Sequence, residues 1–99
     1  MIQLRFLDEA ADEIVDTLKW YRERSEGAEK SYLRQLNEAL QHIRDAPLRF
    51  PRYTENTRRY VFPLFPYSVI YLIEENVIAI VALPHDKQKP GYWLERLRS

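Results

Sequence analysis

With 99 residues, 45% of them hydrophobic and 30% charged, the chain has the composition of one globular domain, residues 1–99, and not of a disordered segment. It holds no cysteine and only two histidines, which excludes a disulfide framework and a thiolate cluster and leaves too few ligands for a dedicated zinc site, so no metal or other cofactor is expected. Fifteen basic residues balance fifteen acidic ones, which speaks against bulk attraction to nucleic acid. No stretch offers the roughly eighteen apolar residues of a membrane span or the start of a leader, so the expected location is cytoplasmic, without membrane contact.

Ile2, Leu4 and Phe6 alternate with Gln3 and Arg5, the period of a strand with one buried face. Asp8 then stands where a cap for the first helix is expected, and Glu9, Asp12 and Glu13 suit the positive end of the helix dipole. Ala11, Ile14, Val15, Leu18 and Tyr21 recur at spacings of three and four, which predicts an amphipathic helix that Ser25-Glu26-Gly27 ends. Trp20 falls beside this stripe, where it packs under a loop or meets a partner. A second helix is predicted from Tyr32, Leu33, Leu36, Ala39, Leu40 and Ile43, stopping before Pro47, and the short connection makes the pair an antiparallel hairpin. His42 lies one step off that stripe and is assigned no chemistry.

The segment APLRFPRYTENTRR has two prolines and several turn formers, so an ordered surface loop anchored by Phe50 is expected. Charge changes sign here. Residues 1–45 hold seven Lys/Arg against ten Asp/Glu, residues 46–99 eight against five, so a polyanion would meet the second half, where Arg49, Arg52, Arg58 and Arg59 stand against Glu55 alone. From Tyr60 onward the pattern is that of strands, with Pro63 and Pro66 confined to an edge, a bulge or a strand start. Residues 67–73 and 77–83, rich in Val, Ile and Tyr, flank Glu74-Glu75-Asn76 and predict a hairpin. Val69, Tyr71 and Ile73 share one face and Ile70 and Leu72 the other, so both faces of this strand are apolar. Two helices cover one face; the other is covered either by a partner or by residues 90–98 folding back as a short helix.

The order strand, two helices, strands, together with Pro47, Phe50-Pro51, Arg58-Arg59, Phe65-Pro66-Tyr67, Tyr71, His85, Pro90 and Trp93, resembles the RelE/ParE superfamily of bacterial toxins, most closely its ParE-like branch. The resemblance runs over nearly the whole chain. Its most specific part is FPYSVIY followed by a second strand and the pattern H-x(4)-P-x(2)-W-x(2)-R that ends at Arg96. It implies an α+β fold of order β-α-α-β-β-β, a helical hairpin on one face of a small, mainly antiparallel sheet with a short C-terminal helix. It further implies the toxin of a type II toxin-antitoxin module, neutralised by an antitoxin whose disordered tail folds onto it.

Two targets divide such proteins: DNA gyrase, and messenger RNA on the ribosome. Cutting RNA through its own 2′-hydroxyl requires a base, cations at the phosphate, an acid for the departing oxygen and a stacked base. Arg58 or Arg59 supplies the clamp, His85 the proton exchange, Lys87 or Lys89 further charge, and Tyr92 or Trp93 the stacking. Against this stand the neutral net charge and Pro63-Leu64 where RNA-cleaving relatives carry basic residues. The preferred reading is therefore a non-catalytic inhibitor of gyrase. The alternatives are a ribosome-dependent endonuclease built on Arg58, Arg59, His85 and Tyr92, or a degenerate member that only binds antitoxin. His85, just past the strand end at Pro84, is expected to tie Asp86 or a backbone carbonyl, and Trp93 to pack with Leu94 and Leu97 against the sheet. Ile70, Leu72, Trp20, Arg59 and Lys87 are the expected partner-binding residues.

Overall fold

The computed structural model describes residues 2–98. Strand β1 (Gln3–Phe6) leads into helices α1 (Asp8–Arg22) and α2 (Glu26–Asp45), then strands β2 (Thr57–Val61), β3 (Ser68–Ile73) and β4 (Val77–Ala82), and a closing 3-10 turn, Leu94–Arg98. The α+β order inferred from the pattern is the one observed. Strands lie in the order β1-β4-β3-β2. The pairs β2–β3 and β3–β4 are antiparallel, and β1 joins β4 in parallel from Gln3↔Val77 to Phe6↔Ile80. A parallel partner needs a long crossover: the two helices carry the chain from β1 to β2 at the far edge of the sheet, and β3 and β4 lead it back beside β1. Between Ile70 and Tyr71 the β3–β4 register slips, a bulge of the kind that increases local twist.

The helix boundaries differ in detail from the expectation. Asp8 is the first residue of α1, after Leu7, and caps nothing with its side chain; it still lies at the positive end of the dipole, beside Glu9. Ser25 does not stop α1 but starts α2, its Oγ accepting the Ala28 N–H at 3.3 Å. The buried side of α1 is rotated by one position: Ala10 is buried and Ile14, Leu18 and Tyr21 pack on the core, whereas Val15 is 62% exposed. On α2 the stripe is Tyr32, Leu36, Ala39 and Ile43, and Leu33, one step away, is 42% exposed.

Helices and sheet enclose a core rich in aromatic rings. Tyr32 stacks on Phe62 at 5.7 Å between centroids and meets Phe65 and Tyr67 edge-on at 5.8 and 5.3 Å. Edge-to-face pairs of this kind each add about 0.5–1.5 kcal/mol beyond their burial. Phe50 anchors the 46–56 loop as expected, edge-on to Tyr60 at 5.0 Å, and Tyr71 donates its hydroxyl to the Pro47 carbonyl at 2.6 Å. The loop tip turns through Glu55 and Asn56 at φ 56° and 67°, a left-handed pair that favours asparagine over most residues. Thr57 closes this tip by bonding the Thr54 carbonyl and amide.

The opposite face of the sheet is closed by the chain itself. Trp93 lies on Ile70, Val81 and Ala82, all of them buried, with Leu72, Leu94 and Leu97 around them. Of the two ways to cover this face, the fold-back of the C-terminal segment is the one observed. Ile70, taken from the pattern as a partner-binding residue, is fully buried under Trp93 and offers no surface, while Leu72 stays partly exposed beside Leu7, Val81 and Leu97.

Candidate functional site

The C-terminal segment is tied down by a carboxylate far away in sequence. Glu13 of α1 accepts the Leu83 N–H at 2.9 Å through Oε1, and the Tyr92 hydroxyl at 2.6 Å and Arg96 Nη2 at 2.9 Å through Oε2. Arg96 also donates to the Val81 carbonyl at 3.0 Å. One acid thus joins the start of α1, the end of β4 and the closing turn. Burial and the Glu13 contact push the Tyr92 phenol well above its usual range, so it stays a donor at neutral pH. At Arg96 burial works against the charge, but the Glu13 bond outweighs it and holds the guanidinium above its ordinary value. Gly91 makes the turn at φ 82°, where a Cβ would come within 3.0 Å of Leu94 Cδ1. The most specific motif in the chain therefore has visible structural work: His85 packs on Tyr67, Trp93 seals a face, and Arg96 binds Glu13.

His85 stands where the two faces meet, bridged to Tyr67 just past the end of β4. A tie to Asp86 or a carbonyl is the sequence-based expectation. The imidazole is instead an acceptor, its Nδ1 taking the Lys87 backbone N–H at 3.0 Å, while the Asp86 N–H goes to the Pro66 carbonyl at 2.8 Å. On the helical side His85 borders a hollow of about 370 Å³ with Asp16, Thr17, Trp20, Tyr21 and Tyr67. On the other side it borders a narrow cleft of about 70 Å³ with Tyr53, Arg59, Ser68, Lys89 and Trp93.

Only part of the candidate ribonuclease set converges on that cleft. Neighbouring strand residues point to opposite faces, so Arg58 and Arg59 cannot clamp one phosphate together. Arg59 lies over the Tyr53 ring, 4.7 Å from its centroid, in the cleft with His85. Arg58 turns to the other face and donates to the carbonyls of Leu48 at 3.3 Å and Phe50 at 2.7 Å. Tyr92, with its hydroxyl on Glu13, does not line the cleft. Lys87 is exposed on the turn, and Trp20 is 48% exposed with the Arg24 guanidinium 3.8 Å from its ring centroid. His42, exposed, stacks on Tyr60 at 6.0 Å.

Sequence reasoning missed Glu13, read there only as a dipole acid, and it missed the hollow beside Trp20. A signal for the first was present: Glu13 falls on the buried side of α1, between Ala10, Ile14 and Thr17, and an acid among core positions calls for a partner. Among the described residues no group of three or more His, Cys, Asp or Glu side chains could hold a metal, and no helix is long and apolar enough to cross a membrane.

Comparison with known proteins agrees with the fold. The family model described as "ParE toxin of type II toxin-antitoxin system, parDE" matches residues 4–90. A solved structure described as a chromosomal ParDE toxin-antitoxin system from P. aeruginosa superposes with a TM-score of 0.64 at 13% identity, covering 86% of this chain and 96% of that one. At that identity the likeness concerns the fold. No curated protein matches the chain by sequence.

Proposed function

Because the chain belongs to the ParE toxin family of type II toxin-antitoxin systems, we propose that it inhibits growth by binding DNA gyrase, without cutting nucleic acid itself, and that a cognate antitoxin neutralises it. The observation that carries the non-catalytic half is the scattering of the catalytic set. Arg59 and His85 share a cleft, but Arg58 is committed to two carbonyls on the other face and the Tyr92 hydroxyl to Glu13. Phosphodiester cleavage requires base, acid and cation at one point in space. Two of four groups, with the His85 Nδ1 already bonded to Lys87, fall short of that. The gyrase half rests on the ParE-like character of the chain, and Trp20, Arg59, Lys87 and Leu72 are the exposed or part-exposed residues proposed to contact partners.

Purified protein is expected to block supercoiling by gyrase and to leave ribosome-bound message intact. Codon-phased cuts in that message, abolished by His85→Ala, would overturn the reading in favour of an endonuclease. Induced expression that leaves growth untouched, with neither assay responding, would instead mark a member that only binds antitoxin.

A further inference from the structure

The hollow on the helical side has the composition of a cation socket, and of its lining the proposed function uses Trp20 alone as a partner contact. Trp20 and Tyr21 meet at 89° with centroids 5.0 Å apart, forming a corner of two ring walls. Tyr67 and His85 form a second corner, at 85° and 4.9 Å. Asp16 lines the same hollow, and its carboxylate makes no ion pair or hydrogen bond among the described residues. Aromatic faces attract a cation through the ring quadrupole, and an unpaired carboxylate beside them adds direct charge attraction. The chain itself shows that a guanidinium suits this ring, since Arg24 lies over Trp20 at 3.8 Å.

Thr17, which also lines the hollow, is the side-chain hydrogen-bonding group at the buried Tyr32 phenol. The exposed charges of α1 are acidic on balance, Asp8, Glu9, Asp12 and Asp16 against Lys19 and Arg22.

We propose that the hollow of Asp16, Trp20, Tyr21, Tyr67 and His85 is a socket for an arginine side chain presented by the antitoxin. The inference deepens the proposed neutralisation and rests on it for the source of the arginine. Arginine fits better than lysine because a planar guanidinium can lie on one ring wall while its N–H groups reach the Asp16 carboxylate. The cleft on the tail side sets Arg59 and Lys89 against Asp86 and is basic on balance, so a basic segment is directed to the helical side.

The test uses the full chain and N-acetyl-arginine amide as the probe, followed by two-dimensional NMR. The expected result is a saturable shift of the Trp20 indole N–H and of the Tyr21, Tyr67 and His85 resonances. The neutral isostere N-acetyl-citrulline amide is expected to produce no saturable shift, and Asp16→Asn to weaken arginine binding by about tenfold. Equal binding of citrulline, tighter binding of N-acetyl-lysine amide, shifts mapped elsewhere, or an unaffected Asp16→Asn variant would each overturn the proposal. So would a dimer at the same concentrations that Asp16→Asn converts to monomer, since the occupant would then be a second copy. No antitoxin is present in this titration, so its failure removes the socket alone, and a failure to find neutralisation by an antitoxin leaves the titration result standing.

Discussion

On the helical face, helices of 15 and 20 residues close the sheet over stacked and edge-on rings. On the opposite face the short segment 91–98, ending in a five-residue 3-10 turn, performs the same task with one large side chain, Trp93, and the Glu13 knot. The first closure is distributed: no single side chain carries it, because Tyr32, Leu36, Ala39 and Ile43 all enter the same core. The second is concentrated in one indole and one carboxylate, and its polar contacts join residues 70 to 83 positions apart. Concentrated closures of this kind open locally before the rest of a domain unfolds. The lesson for function is that the surface most open to rearrangement lies next to the Arg59 cleft, while the helical side offers partners a fixed relief.

The sharpest contrast between the two closures comes from placing a charge in each. Leu36→Asp buries an unpaired carboxylate in the distributed core and is expected to cost more than about 4 kcal/mol, most of a small domain's stability; loss of cooperative thermal unfolding in circular dichroism checks it. Ile70→Asp is expected to expel the closing turn while the helical face persists, so helical signal survives and a hydrophobic dye binds. Equal collapse of both variants would show that the faces are not separable. Trp93→Ala removes the indole and is expected to cost about 3 kcal/mol, the lower part of the range for a deleted core aromatic, because a detached turn leaves no rigid cavity. Denaturant melts measure that value.

Smaller effects follow from the knot. Glu13→Gln leaves the size unchanged but removes the charge that Arg96 and Tyr92 share, and a cost of about 1–2 kcal/mol is expected for this partly exposed pair. The smallest effect is spectroscopic. Burial, aided at Tyr21 by Tyr67, pushes Tyr21 up to about 12; burial, opposed by Arg58, does the same to Tyr71. A phenol whose pKa is raised by folding holds its proton more tightly in the folded state. The stability it contributes is whole below about pH 10 and is lost as pH rises through the folded value. Ultraviolet titration should therefore show tyrosine ionisation delayed beyond pH 10 together with alkaline destabilisation. In Glu13→Gln the Tyr92 step should move down while Tyr21 and Tyr71 stay in place.

What the sequence revealed follows the same division. Periodicity exposes a distributed closure, so the α2 stripe, the alternation of β1 and the β3–β4 hairpin were legible, with errors of one step at Val15 and Leu33. A concentrated closure has no period. Trp93 with Leu94 and Leu97 hinted at packing, but the binding of Glu13 to Leu83, Tyr92 and Arg96 depends on chain segments that meet only after folding. The parallel docking of β1 on β4 was hidden for the same reason. In the candidate site, the strand pleat separated Arg58 from Arg59, and the Glu13 bond drew Tyr92 away from His85. Trp20 stands out in the sequence as a candidate partner contact, but Asp16 looks like an ordinary surface residue until folding brings both into one hollow with Tyr67 and His85.

Amide hydrogen exchange on wild type and Glu13→Gln, read at Leu83 and Arg96 against Val69 and Ile80, tests the two-closure account most directly. The account predicts that Leu83 and Arg96 lose protection in the variant while Val69 and Ile80 keep theirs. Unchanged protection at Leu83 and Arg96, or an equal loss at all four positions, would contradict it.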